Sequence, residues 1–569
     1  LDGRGGLWNF IFNNKTFKTM KKWRVFTTMI VLFFAVACEK PLVSDELSPD
    51  NVAALNGDSQ LRKGEKTFIS DGDIELGEKL NNPYSVENMK EALSVLKKND
   101  DRFKDVKVEH NYDYVKLVSE SGEALSKLEE LKGIDLYAYP LDYEVEKSGN
   151  SYKDKSVAAE FPIYWAAIPV GFDLPKGIKV EKLEKLFLPF GSKVIDEQTL
   201  KTAKGELLQV LEETSENLLS DNRKAKVSSF VPSGYIKVHD DVVQSLLPSP
   251  YWSFTYLPIK GVKIKVKRWF TTRETVTDIN GNFQFSHSFN GPVDYTVVWE
   301  RPDFNIRVGS YGQANSNVNN VYGPLNANFN EFNTPNSYEW AHVYRGAYTY
   351  YYDNSWGINI PPLSGSLNWP FNNATLAIGV RNNGQSHFFG SNLVAGSSQI
   401  IIAIDGKNSR EIFGNTIHEI AHTSHWELGF TDFDWLAGGN KKKLAESWAT
   451  GVEWKITNDV YQGLVAPFAN YTIWNGPNEY QNYTLAQIPS NPYTPLFIDL
   501  IDNENQLITR GPNLPNDTAS GFNLQQLESR FYLPNMVDNW TNYRNSLITN
   551  FAWVTPTASM EYLFDNYDE

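Results

Sequence analysis

The stretch Arg410–Gly429, REIFGNTIHEIAHTSHWELG, constrains this 569-residue chain more than any other. His418, Glu419 and His422 stand in it as His-Glu-x-x-His. Residues four apart share one face of an α-helix, so both imidazoles can reach a single metal ion. Glu419 lies about 100° round the axis, where it addresses a water on that ion rather than the ion itself. The helix is expected on separate grounds. Ile412, Phe413, Ile417, Ile420, Ala421 and Trp426 form an apolar flank, no proline interrupts, and Gly429 suits a C-terminal stop. The chain has only eight histidines, and three of them fall at 418, 422 and 425. Zinc is therefore the expected cofactor. His425 shares the face of His418 but sits about 10 Å along the axis, too far for all three to meet one ion on an unbroken helix. A substrate-facing or second-layer role and plain packing both stay open for it.

A catalytic zinc takes three protein ligands and keeps one position for water, so two imidazoles leave one ligand to find. Three and six residues beyond His422 stand His425 and Leu428, not the Gly and His of the metzincin pattern. Further on, LAESWATGVEWKI reads as a helix with Leu444, Trp448, Val452 and Ile456 in one stripe and Glu446 and Glu453 on another side. Together IHEIAH (417–422) and ESWA (446–449) resemble a gluzincin-type zinc metallopeptidase. The resemblance implies Zn2+ held by His418, His422 and Glu446, with Glu419 as general base and a protein or peptide as substrate. It also implies a downstream Tyr or His to stabilise the oxyanion. No histidine follows His425, so Tyr461, Tyr471, Tyr480 and Tyr483 are the candidates. Two apolar runs, 374–380 and 398–405, precede the helix as strands. Strand followed by motif helix is the zincin arrangement, in which an edge strand holds an extended peptide by backbone pairing.

Cysteine usage narrows the setting. Cys38 is the sole cysteine, so neither an intrachain disulfide nor a thiolate zinc cage is possible. It follows a basic segment, Met20-Lys-Lys-Trp-Arg24, and a short apolar run from Val25 to Ala37. That run suits a signal-peptide core and is too short to span a bilayer. The ending Ala35-Val36-Ala37-Cys38 resembles a bacterial lipoprotein cleavage site, which implies lipidation at Cys38 and a place in the cell envelope, at the outer membrane or cell surface. Residues 1–19 precede this signal and are expected to be upstream sequence. Residues 39–66 read as a disordered stalk.

The remaining length allows two to four domains. Residues 67–230 mix helix and strand and are expected to form an α+β domain whose Tyr and Trp residues are core. Residues 231–310 turn to short strands, with Asn280-Gly281 as a tight turn. GVKIKV…TVTDINGNFQF (261–285) resembles the carboxypeptidase regulatory-like, or transthyretin-like, β-sandwich. Asp278 there is assigned to turn chemistry rather than calcium, because the other acidic ligands of an EF-hand loop are missing. Lys263–Arg268, KIKVKR, is expected as a strand with a solvated lysine face. Residues 311–569 complete a zincin-like metallopeptidase domain with a mostly helical C-terminal half. The whole is an α+β multidomain chain. A net charge of −15 speaks against a nucleic-acid surface. The competing reading is a non-catalytic surface lipoprotein that binds a protein or glycan partner.

Overall fold

A computed structural model describes residues 71–568 except 130, 132, 158–159, 192–201, 220–228, 248, 252–254, 290, 362–374, 389–397, 429–438, 468–477 and 537–538. The expected signal, Cys38 and stalk, and the candidate Tyr471, lie outside the described residues. The described residues form a mixed α and β structure with several sheets and no barrel among them.

Near the N-terminus, Tyr112–Ser119 is the centre of an antiparallel three-stranded sheet, flanked by Ile163–Pro169 and Ile178–Leu186. Helices Val86–Asn99 and Ala203–Leu219 pack together beside it. The first of these opens on a capping serine, the Ser85 hydroxyl accepting from the Asn88 amide. Two separate apolar clusters cover the two faces of this sheet. Tyr114, Tyr137 and Tyr164 are buried in them, as core residues.

Two four-stranded sheets follow. One carries Asn282–Gln284, Ser233–His239 and Leu325–Phe329, with Tyr256–Pro258 also paired to Ser233–His239. The other runs Asn315–Val321, Val293–Val298, Lys263–Arg268, Thr271–Val276. Three details differ from the sequence expectation. Lys263–Arg268 is an interior strand, and Lys267 is buried, with Nζ 2.8 Å from the Tyr139 hydroxyl and 4.2 Å above its ring. The N-terminal segment covers what alternation alone assigned to solvent. Asn280-Gly281 does turn the chain, with Asp278 accepting from the Asn280 and Asn282 amides, but it carries the chain from one sheet to the other. The tight hairpin is instead at Trp269-Phe270, whose Phe270 inserts between Tyr84 and Tyr114 of the N-terminal core. Finally, the 310/311 division cuts through the sheets. Asn315–Val321 and Leu325–Phe329 belong with the strands before 310, whereas Phe304–Val308 pairs in parallel with Leu376–Arg381.

That last pairing begins the sheet that positions the motif helix, in the order Phe304–Val308, Leu376–Arg381, Ile400–Ala403, His387–Phe388. The first three are parallel, and the short His387–Phe388 runs antiparallel at the edge. Ile400, Ile401, Ile402 and Ala403 are all buried, as an apolar run covered on both faces requires. Among the described residues, one apolar cluster takes in side chains from Ile236 to Tyr567 and joins the paired sheets to the helices beyond.

Helix Ser409–Glu427 leaves the sheet through a capping box. The Asn408 side chain accepts from the Glu411 amide, and the Glu411 carboxylate accepts from the Asn408 amide. Its first turn is also held by Asp240, a fully buried carboxylate that accepts from the Ser409 hydroxyl at 2.8 Å. Asp240 pairs with Arg345 at 2.9 Å and accepts from the Tyr461 hydroxyl at 2.8 Å. One anion thus aligns helices Pro335–Tyr352, Ser409–Glu427 and Gly439–Val465. Burial opposes its charge, yet Arg345 and the hydrogen bonds hold its pKa below the usual carboxylate range. The first two helices cross closely at Gly346, where an added Cβ would stand 2.8 Å from the Phe413 carbonyl oxygen.

Candidate metal centre

The motif residues lie in the middle of Ser409–Glu427, where both flanks are covered by other helices. Residues Ile412, Phe413, Ile417, Ile420 and Ala421 anchor the apolar flank and are wholly buried. Helix Gly439–Val465 packs along the other side. Its stripe of Leu444, Trp448, Val452 and Ile456 is buried as expected, and this orientation turns Glu446 inward.

Three donor atoms converge there. Nε2 of His418 and Nε2 of His422 are 3.1 Å apart. Oε2 of Glu446 is 3.4 Å from the first and 3.2 Å from the second. A tetrahedral ion with bonds of about 2.0–2.1 Å separates its ligands by about 3.3–3.4 Å, so the triangle has the edge lengths of one face of such a polyhedron. The donor chemistry also fits: two neutral imidazoles and one carboxylate are the set used where zinc keeps a fourth position open. His418, His422 and Glu446 are at most 5% exposed. Two lone pairs and a carboxylate facing one another in so dry a place demand a shared proton or a cation.

The electrostatics carry the same tension. Burial pushes His418 down, but Glu446 and Glu453 more than offset it and raise its pKa to about 9. At His422 burial wins and the pKa is lowered. Burial opposes ionisation of Glu446 as well, yet hydrogen bonds from the two imidazoles hold its carboxyl far below the usual range.

Glu453 is the residue that sequence reading set on the right side of the helix without assigning it work. Its Oε2 is 3.1 Å from Nδ1 of His418. A carboxylate in this place favours the proton on Nδ1 and so leaves Nε2 to bind a metal ion. Gly414, one turn before His418, makes the space: a Cβ there would stand 2.9 Å from Oε1 of Glu453. Glu453→Gln should weaken zinc binding by ~10–100-fold, the usual effect of losing such a partner. Competition against a chromophoric chelator measures it, and an unchanged affinity would remove Glu453 from this role.

Glu419 is 2% exposed and is not one of the converging donors. It is close enough for its charge to raise the pKa of His418. His425 does not join the triangle. It is buried with its ring 4.6 Å from Phe531, in an aromatic cluster with Trp448 and Tyr543.

The tyrosine candidates fall in different places. Tyr461 is spent on Asp240. Tyr480 stacks on Tyr493 at 5.3 Å, and Tyr483 meets Tyr480 edge-on. Tyr493, outside the four candidates, has its ring 6.3 Å from that of His418. Its only sequence signal is a turn, Asn491-Pro492, just before the helix Leu496–Ile501.

No protein family, curated protein or solved structure matches the chain.

Proposed function

We propose that the chain is a gluzincin-type zinc metallopeptidase that hydrolyses peptide bonds in a protein or peptide substrate. The observation that carries the reading is the convergence of His418, His422 and Glu446 with zinc-like spacing, with Glu419 beside them and outside the donor set. In this reading the N-terminal α+β region and the carboxypeptidase regulatory-like sandwich support a zincin-like catalytic domain with a mostly helical C-terminal half.

Bound zinc would supply Lewis acidity to the scissile carbonyl and lower the pKa of the attacking water toward about 7. His418 and His422 present Nε2 from consecutive turns, and Glu453 fixes the tautomer of the first. Glu446 would partly neutralise the cation. The Glu419 carboxylate accepts the proton of the attacking water and delivers it to the leaving amine. The His387–Phe388 edge, antiparallel to Ile400–Ala403 and in contact with the motif helix, offers backbone groups to an extended peptide.

A quenched-peptide library tests the activity. Cleavage should vanish with a zinc chelator and return with stoichiometric Zn2+. Stoichiometric zinc without cleavage of any library member would support the alternative, a lipoprotein that binds a partner.

The lipid anchor belongs to the same proposal, as does placement at a bacterial outer membrane or cell surface. Among the described residues no helix is long and apolar enough to cross a membrane. A tagged fatty acid supplied to expressing cells should label the wild type and not Cys38→Ser; an unlabelled wild type rules the anchor out.

A further inference from the structure

Away from the motif helix, Asp499, Asp502 and Asp517 place one carboxylate oxygen each within 4.8 Å of the others. Asp499 is wholly buried on helix Leu496–Ile501, Asp502 ends that helix, and Asp517 comes back from the following loop. Among the described residues none of the three forms an ion pair. The nearby Arg510 is committed to Glu504 at 2.6 Å. Such a cluster alone would be unremarkable in a protein with 68 acidic residues.

Two further atoms separate it from a chance grouping. Gln506 is wholly buried and donates Nε2 to Oδ1 of Asp499, so its amide lies beside the cluster, yet among the described residues its Oε1 has no hydrogen-bond partner. Asp517 is 2% exposed; it accepts the Ala519 amide, and its Oδ2 likewise has no hydrogen-bond partner among the described residues. Buried acceptors of this kind are rarely left unmet. The donors among the described residues do not reach these two atoms: Gln481 serves Asp499 and Asp502 at 3.0 and 2.9 Å, and the Tyr567 hydroxyl serves Asp499.

We propose that Asp499, Asp502, Asp517 and Gln506 form a structural site for a hard divalent cation of calcium size. The donor set is all oxygen, which suits calcium rather than zinc. Calcium–oxygen bonds of about 2.3–2.6 Å allow ligand atoms on opposite sides of one ion to stand about 4.6–5.2 Å apart, so a single ion reaches all three carboxylates. Half a turn of the Gln506 amide exchanges its nitrogen and oxygen and adds a neutral ligand. Without a cation, burial and then mutual repulsion push the Asp499 and Asp517 carboxyls up. A divalent cation relieves both.

The site ties helix Leu496–Ile501 to the loop that follows it and, through Tyr567, to the C-terminal helix Thr557–Tyr567. This assembly backs the candidate metal centre. Thr494 bonds Ser447, the neighbour of Glu446, through its amide at 3.1 Å and its hydroxyl at 2.8 Å.

Terbium luminescence, excited through tyrosine, tests the proposal on zinc-loaded protein. One Tb3+ per chain should bind and be displaced by Ca2+ at concentrations where Mg2+ has little effect. Added Ca2+ should raise the Tm of the wild type by several degrees. Asp517→Asn, nearly isosteric, should weaken Tb3+ at least ~10-fold, since affinity follows the charge of the ligand set. A wild type whose Tm ignores Ca2+ and whose terbium is not displaced overturns the site whatever the variant does. So does an Asp517→Asn that binds terbium as tightly as the wild type, the result for a cluster that holds protons instead. Neither outcome depends on whether the protein cleaves peptides.

Discussion

Glu419→Gln should lose at least ~10²-fold in kcat/KM while keeping its zinc, the scale on which removal of a general base is felt. The amide has the shape of the carboxylate but cannot take a proton at neutral pH. Glu419 is not one of the three donors that converge, so the substitution leaves the ligand triangle intact. Its near-complete burial makes an isosteric change preferable to alanine, which would open a cavity in the wall of the helix. Two measurements on one preparation decide the matter. Metal analysis should return close to one zinc per chain, and initial rates on a cleaved peptide should collapse. Unchanged kinetics would take the base role from Glu419. Loss of zinc with loss of activity would instead make Glu419 a ligand and require a different donor set.

The parts of this centre that were legible in the sequence are those set by helical periodicity and by the demands of a metal. His418 and His422 are one turn apart, and a helix leaves them few other arrangements. The stripe Leu444, Trp448, Val452, Ile456 must face the core, and that orientation turns Glu446 toward the motif helix without any knowledge of the fold. Glu453 was on the correct face, but its work depends on the missing side chain of Gly414 on another helix, which no local pattern records. Tyr461 looked as suitable as any tyrosine downstream. Its partner Asp240 is 221 residues away in sequence, and a long-range bond of this kind has no periodic signature.

The same limit explains the strands. Lys263–Arg268 alternates as an exposed strand does, and the segment that buries Lys267 comes from near Tyr139, far upstream. Asn280-Gly281 has the chemistry of a hairpin turn, and the turn forms, but which strand the chain pairs with afterwards is decided by the sheet core. Phe304–Val308 likewise carries no mark that it pairs with Leu376–Arg381 rather than with the strands before it. Local chemistry told what each segment is; its partners depended on contacts between distant parts of the chain.

Zinc content should fall sharply in Glu446→Ala and stay near stoichiometric in His425→Ala. Both side chains are buried and both follow the motif, so burial and proximity in sequence do not separate them. Geometry does. Oε2 of Glu446 is within 3.4 Å of both imidazole nitrogens, and its removal leaves two imidazoles and no charged ligand to offset the cation. The affinity lost should exceed the ~10–100-fold that follows loss of a partner outside the ligand set. Glu446→Gln should fall between, keeping an oxygen donor and losing the charge. His425 is turned to Phe531, and the helix runs on to Glu427 without the break it would need to swing back. His425→Ala removes a buried ring from an aromatic cluster, so it should cost about 2–5 kcal/mol of stability, seen as a lowered Tm, with the metal in place. Circular dichroism establishes that each variant is folded before its metal is counted. If His425→Ala lost zinc and Glu446→Ala kept it, helix Gly439–Val465 would not supply the third ligand, and the centre would have to be rebuilt from the motif helix alone.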